Sequence, residues 1–190
     1  AGTSAWPNGY YGIYLDDDEG TSSDNIIGTD GNTVNDVEER NVISGNPGDG
    51  IILSGAGVTN TVIAGNFVGV NAPGNDNLSN GGDGIRILNG AHANIVGGTA
   101  ADQRNVLSGN MSGVSITGEG TSGNIVKGNY IGTLPSGTGV LPNSFAGVWV
   151  NDAPLNTIGG TAAGAGNLIS GNVVYGVRIE GSSAANNQLL

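Results

Sequence analysis

A short pattern of glycine, apolar, any, apolar recurs along the chain: Gly12-Ile13-Tyr14-Leu15, Gly50-Ile51-Ile52-Leu53, Gly84-Ile85-Arg86-Ile87, Gly113-Val114-Ser115-Ile116, Gly147-Val148-Trp149-Val150 and Gly176-Val177-Arg178-Ile179. Successive copies are 38, 34, 29, 34 and 29 residues apart, so a 34-residue and a 29-residue coil together make a super-repeat of 63. Self-similarity at such a period marks a solenoid, in which each repeat buries its apolar face only against its neighbours.

Two more series fall between these segments. One begins Asn25-Ile26-Ile27, Thr61-Val62-Ile63, Asn94-Ile95-Val96, Asn124-Ile125-Val126, Asn156-Thr157-Ile158 and Asn187-Gln188-Leu189. The other runs Asn41-Val42-Ile43, Phe67-Val68, Asn105-Val106-Leu107, Tyr130-Ile131 and Asn167-Leu168-Ile169. All are rich in Val and Ile, bounded by Gly, Asn, Ser and Thr, and too short for helices. Three strands per coil, coil after coil, predict an all-β parallel β-helix of about five to six coils with three parallel sheets spaced roughly 4.8 Å from coil to coil. We read residues 1–190 as a single β-helix domain.

Alternation in the first series directs Ile13/Leu15, Ile51/Leu53, Ile85/Ile87, Val114/Ile116, Val148/Val150 and Val177/Ile179 into the core. Tyr14, Ile52, Arg86, Ser115, Trp149 and Arg178 then form one outward column. Long loops alternate too: 71–83 and 134–146 follow the third strand in every second coil, whereas 28–40, 97–104 and 159–166 follow the second strand in the others.

A recurrent Ser/Ala/Lys-Gly-Asn ending is expected to set Asn46, Asn66, Asn110, Asn129 and Asn172 at one corner, where their amides bond along the stack. This resembles the asparagine ladder of right-handed parallel β-helices of the pectate-lyase-like superfamily, and especially the Gly- and Asn-rich repeats of large bacterial surface proteins. The likeness covers nearly the whole chain. It implies a right-handed fold and an extracellular setting; the shared residues are structural and imply no activity.

Segment 1–12 aligns without gaps on 136–147, so the chain enters partway through a long loop, and it stops at Leu190 within a second-sheet strand. The expectation is a segment of a longer array, with self-association through open β-helix ends as its partner interaction.

Glycine is 37 of 190, without a Gly-X-Y period, which fits turns rather than collagen. The net charge of −11 opposes nucleic acid and anionic membrane surfaces, and no apolar run is long enough for membrane insertion. Cysteine is absent, which removes disulfides and thiolate metal sites.

No catalytic set emerges. His92 is the one histidine and reads as a solvated turn residue. Gly118-Glu119-Gly120-Thr121-Ser122-Gly123 leads into a strand rather than a helix N-terminus, so it reads as a turn and not a dinucleotide loop. One position past the outward column, Asp16 and Glu180 lie at opposite ends of the stack, too far apart to share a glycosidic bond. Tyr14, Arg86, Trp149 and Arg178 form a candidate polysaccharide-binding face. Asp16, Asp17, Asp18 and Glu19 form a candidate calcium cluster, with Asp30, Asp36, Glu38 and Glu39 on the following loop able to add ligands. The functional expectation is a non-enzymatic, secreted or cell-surface structural or adhesive rod, and the alternative is a carbohydrate-binding or polysaccharide-processing helix.

Overall fold

The computed structural model describes residues 2–18 and 20–190. Among them every regular element is a β-strand, and parallel sheets stack into a β-solenoid of about 5 turns. The first sheet contains Ile13–Leu15, Ile51–Ser54, Ile85–Leu88, Ser112–Thr117, Ala146–Asn151 and Tyr175–Glu180, in that order. The second contains Ile26–Gly28, Val62–Ala64, Ile95–Gly97, Ile125–Lys127, Thr157–Ile158 and Gln188–Leu189. The third contains Val42–Ile43, Phe67–Val68, Val106–Leu107, Tyr130–Ile131 and Leu168–Ile169. A small pair, Ser22–Ser23 with Val58–Thr59, adds a short fourth ribbon on the turn between first and second strands.

Register follows the repeat. Ile13 pairs with Ile51, Ile51 with Ile85, Ile85 with Val114, Val114 with Val148 and Val148 with Val177. The inward residues of the central coils, from Ile51 and Leu53 to Val148 and Val150, are fully buried and join Ile63, Val96, Val126, Val68, Leu107 and Ile131 in one core. At the last coil Ile179 remains 40% exposed and Leu189 62% exposed.

The first-sheet glycines Gly12, Gly50, Gly84, Gly113 and Gly147 are required by crowding. A Cβ on Gly84 would lie 2.7 Å from the Gly113 carbonyl oxygen and 2.9 Å from the Asn110 amide nitrogen. Gly97, at the end of a second-sheet strand, needs its freedom for a different reason: its φ is +90° and a Cβ would meet the Lys127 carbonyl at 2.0 Å.

The asparagines do not share one corner. Asn46, Asn110 and Asn172 stack with Asn8, Asn80 and Asn143 where the chain enters the first sheet, through amide contacts of 2.8 Å (Asn8 to Asn46), 2.8 Å (Asn46 to Asn80), 3.0 Å (Asn80 to Asn110) and 2.8 Å (Asn143 to Asn172). The link from Asn110 to Asn143 is made by the Asn110 backbone N–H at 3.0 Å. Asn66 and Asn129 belong instead to a ladder with Asn41, Asn105 and Asn167 between the second and third sheets. A third ladder, Asn94, Asn124, Asn156 and Asn187, opens the second sheet and is continued by the Thr61 N–H, which donates to Asn94. At Asn46, Asn66, Asn110, Asn129 and Asn172 the Gly-Asn ending falls at the corner that lacks a long loop, and that corner alternates from coil to coil. The intervening rungs are supplied by the asparagines that end the loops, Asn41, Asn80, Asn105, Asn143 and Asn167.

The two kinds of loop also cover the third sheet. Phe67, Val70 and Val106, with Tyr130 and Leu141 against them, form a second small core outside the solenoid. Arg40 lies 4.2 Å over the Phe67 ring and Arg104 4.1 Å over the Tyr130 ring, each also donating from Nε to a main-chain carbonyl, that of Gly65 or Gly128.

Asn105 is fully buried; its amide donates to the Ile63 carbonyl at 2.8 Å and to Asn129 at 2.9 Å, and its oxygen accepts from the Asn66 N–H at 2.9 Å. Asn105→Ala orphans these groups and is expected to cost about 2–4 kcal/mol, against about 1 kcal/mol or less for Asn172→Ala at the last rung. Urea-unfolding midpoints of the two variants check the difference.

Candidate functional site on the first-sheet face

The outward column is continuous: Tyr14 pairs with Ile52, Ile52 with Arg86, Arg86 with Ser115, Ser115 with Trp149 and Trp149 with Arg178. Tyr14, Arg86 and Trp149 are thus each two rungs, about 10 Å, from the next. Of the four sugar-face residues, only Trp149 and Arg178 are direct neighbours. The face divides into two clusters.

At one end, Trp149 donates its indole N–H to Glu180 at 2.8 Å, and Arg178 pairs with the same carboxylate. Phe145 packs edge-on against both Trp149 and Tyr175, each at 5.6 Å, and Arg178 lies 4.9 Å over Tyr175. Trp149 and Arg178 are therefore held by their neighbours through Glu180.

The other cluster surrounds Arg86. Tyr11 stacks on Tyr14 at 5.6 Å and meets Tyr10 edge-on at 4.5 Å. Arg86 faces Asp49 at 3.7 Å, and these groups with Gly48, Gly81, Gly82 and Met111 line a hollow of about 190 Å³. A neighbouring hollow of about 550 Å³ shares Gly81 and Met111 and runs toward the long loops. The Arg86 Nε is buried without a hydrogen-bond partner among the described residues.

Asp49 and Asp83 were missed by sequence reasoning, which inspected the position after the outward column rather than the one before the strand's glycine. The shared words Asp49-Gly50-Ile51 and Asp83-Gly84-Ile85 were the available signal. Both carboxylates are engaged in joining coils. Asp49 Oδ1 accepts from the Asp83 N–H at 2.6 Å; Asp83 accepts from the Ser112 N–H at 3.0 Å and the Ser115 hydroxyl at 2.6 Å. With Asp83 only 1% exposed, the pair does not present an acid and a base to one groove. Burial pushes the Asp83 carboxyl above its ordinary value, against the lowering effect of the two serines. The Tyr11 phenol is likewise raised, first by loss of water around it and then by Tyr10 and Asp49.

Asp17 accepts from the Gly57 N–H at 2.7 Å, Glu19 lies outside the described residues, and Asp16 and Asp18 join no group of three acids among the described residues. The acids that do converge are Asp30, Asp36 and Glu39 on the next loop. His92 is exposed on its turn, with Nδ1 3.1 Å from the Gly90 carbonyl.

Comparison with protein-family models, curated proteins and solved structures finds no match to this chain.

Because the folded-state pKa of Asp83 is raised, its contribution to stability is fully present below the unfolded value of 3.8 and is lost as pH rises through the folded value. Asp83→Asn removes this dependence. Thermal unfolding at about pH 4 and about pH 7 is expected to show the variant gaining on the natural chain as pH rises.

Proposed function

We propose that this chain acts as a stiff, non-catalytic rod in an extracellular structural or adhesive protein, built on the plan of right-handed pectate-lyase-like helices and the Gly/Asn-rich repeats of bacterial surface proteins. The observation that carries the reading is the set of asparagine ladders, which tie successive coils together at three corners around one continuous core. Bending such a rod requires parting buried amides, so the design favours shape over movement. A net charge of −11 keeps its sides from associating.

A second reading, recognition of a polysaccharide, is favoured by the Arg86 hollow. There the half-exposed Arg86 guanidinium and the Tyr10 and Tyr11 rings lie together, the combination of charged donor and stacking surface that a sugar ring uses.

One experiment addresses both readings. Beads coated with the chain are exposed to a panel of acidic and neutral polysaccharides, and the glycans are then assayed for new reducing ends and unsaturated termini. The rod reading predicts unchanged glycans; turnover abolished by Asp49→Asn would refute it. If the hollow holds sugar, Arg86→Ala reduces retention about tenfold, the loss expected for one charged hydrogen-bonding group; equal retention by the variant would remove that site.

A further inference from the structure

The 28–40 loop differs from its counterparts in length and charge. Loops 97–104 and 159–166 span 8 residues each, whereas 28–40 spans 13. In 97–104 the loop is stitched by a neutral amide: Gln103 Oε1 accepts from the Thr99 N–H at 3.1 Å and from the Ala100 N–H at 3.3 Å. The same stitch in the longer loop is made by an acid, with Glu39 Oε2 accepting from the Asp30 N–H at 3.1 Å. Glu39 stands immediately before Arg40 as Gln103 stands before Arg104, and Asp30 lies two residues after Gly28 as Thr99 lies two after Gly97. Backbone bonding therefore needs an acceptor at this position, and it does not need a charge.

The additional residues bring more charge to the same place. Asp30, Asp36 and Glu39 each offer a carboxylate oxygen, and these oxygens lie within 4.8 Å of one another. Asp30 is exposed, Glu39 half-buried and Asp36 only 6% exposed. Asp36 Oδ2 accepts from the Thr33 N–H at 3.0 Å, but Oδ1 is buried with no hydrogen-bond partner among the described residues. Neither ion pair among the described residues, Arg86 with Asp49 or Arg178 with Glu180, involves these acids. Arg40, the nearest cation in sequence, is committed to the Phe67 ring and the Gly65 carbonyl.

Two carboxylates at such a distance repel, and more strongly where solvent is partly excluded. A buried carboxylate oxygen without a donor adds a further desolvation cost. A hard divalent cation relieves both at once. Oxygens bound to calcium at about 2.3–2.6 Å stand at most about 5 Å apart across the ion, which matches the spread of the three carboxylates.

We propose that the 28–40 loop is a calcium site in which Asp30, Asp36 and Glu39 are ligands, the buried Asp36 supplying the inner oxygen and the exposed Asp30 the side from which the ion enters. Bound calcium closes the long loop against the second and third sheets, doing with charge what Gln103 does in the next such coil with an amide. The ligand set belongs to this loop alone and is independent of any activity on the first-sheet face.

The test is calorimetric titration of the chelator-stripped chain with calcium chloride. One calcium per chain is expected, at an affinity typical of extracellular modules, about 10⁻⁴–10⁻³ M. Glu39→Gln keeps the stitch to Asp30, as Gln103 shows, while removing a ligand charge, and Asp36→Asn keeps the bond from Thr33. Each is expected to leave the unfolding temperature of the calcium-free chain close to that of the parent and to weaken calcium binding about tenfold or more. The double variant Asp16→Asn/Asp18→Asn is expected to bind as the parent does. Absence of binding at millimolar calcium, parent-like binding by both loop variants, or loss of binding only in the Asp16/Asp18 variant would each overturn the proposal.

Discussion

Coils stacked about 4.8 Å apart leave no space for water between their corners, so every polar group of a corner must find its partner within the stack. The rest of the structure depends on how this chain meets that constraint. Asparagine is suited to it: one amide donates along the stack to the next asparagine and across to a main-chain carbonyl, while its oxygen accepts from the rung on the other side. Asn66, Asn105 and Asn129 each do this while wholly buried. The core columns of Ile, Val and Leu supply the burial, but it is the amides that fix which coil lies over which.

The same constraint decides where variation is allowed. A loop can leave a coil only at a corner, and it must return an asparagine to the ladder when it re-enters. Asn41, Asn80, Asn105, Asn143 and Asn167 are those returning residues, which is why loops of unequal length leave the register undisturbed. Chemistry collects in the loops and on the outward column. The 28–40 insertion gathers acids, while the first-sheet face gathers aromatic rings, arginines and the coil-joining Asp49 and Asp83. Opposite ends of that face are built alike, from rings edge to face and an arginine neutralised by a nearby carboxylate.

The solenoid, its strands and the outward column were legible because period-two alternation and the opening glycine repeat with every coil. The ladders were half legible. Asn46 and Asn66 carry the same Gly-Asn pair, but corner identity depends on which loop is absent, and that is a property of the coil rather than of the motif. Site geometry was least legible. Asp17 was legible only as one of a run of acids, and the bond it accepts from the Gly57 N–H of the next coil was not. Asp36 and Glu39 were visible only as additional acids, because what sets them apart is a loop that folds back so that residues nine apart, Asp30 and Glu39, share a bond. Glu180 was weighed only against the distant Asp16, because its pairing with Trp149 and Arg178 becomes apparent only when adjacent coils are superposed.

The central claim is that buried side-chain amides, and not apolar packing alone, pin coil to coil. Hydrogen exchange of the asparagine side-chain Nδ2 groups, followed by nuclear magnetic resonance, tests it most directly. The account predicts that Asn66, Asn105, Asn124 and Asn129 keep their amide protons as long as the core strands keep theirs, while Asn32 and Asn75 on the loops exchange at once. Rapid exchange at the four ladder asparagines, with the core strands still protected, would contradict it.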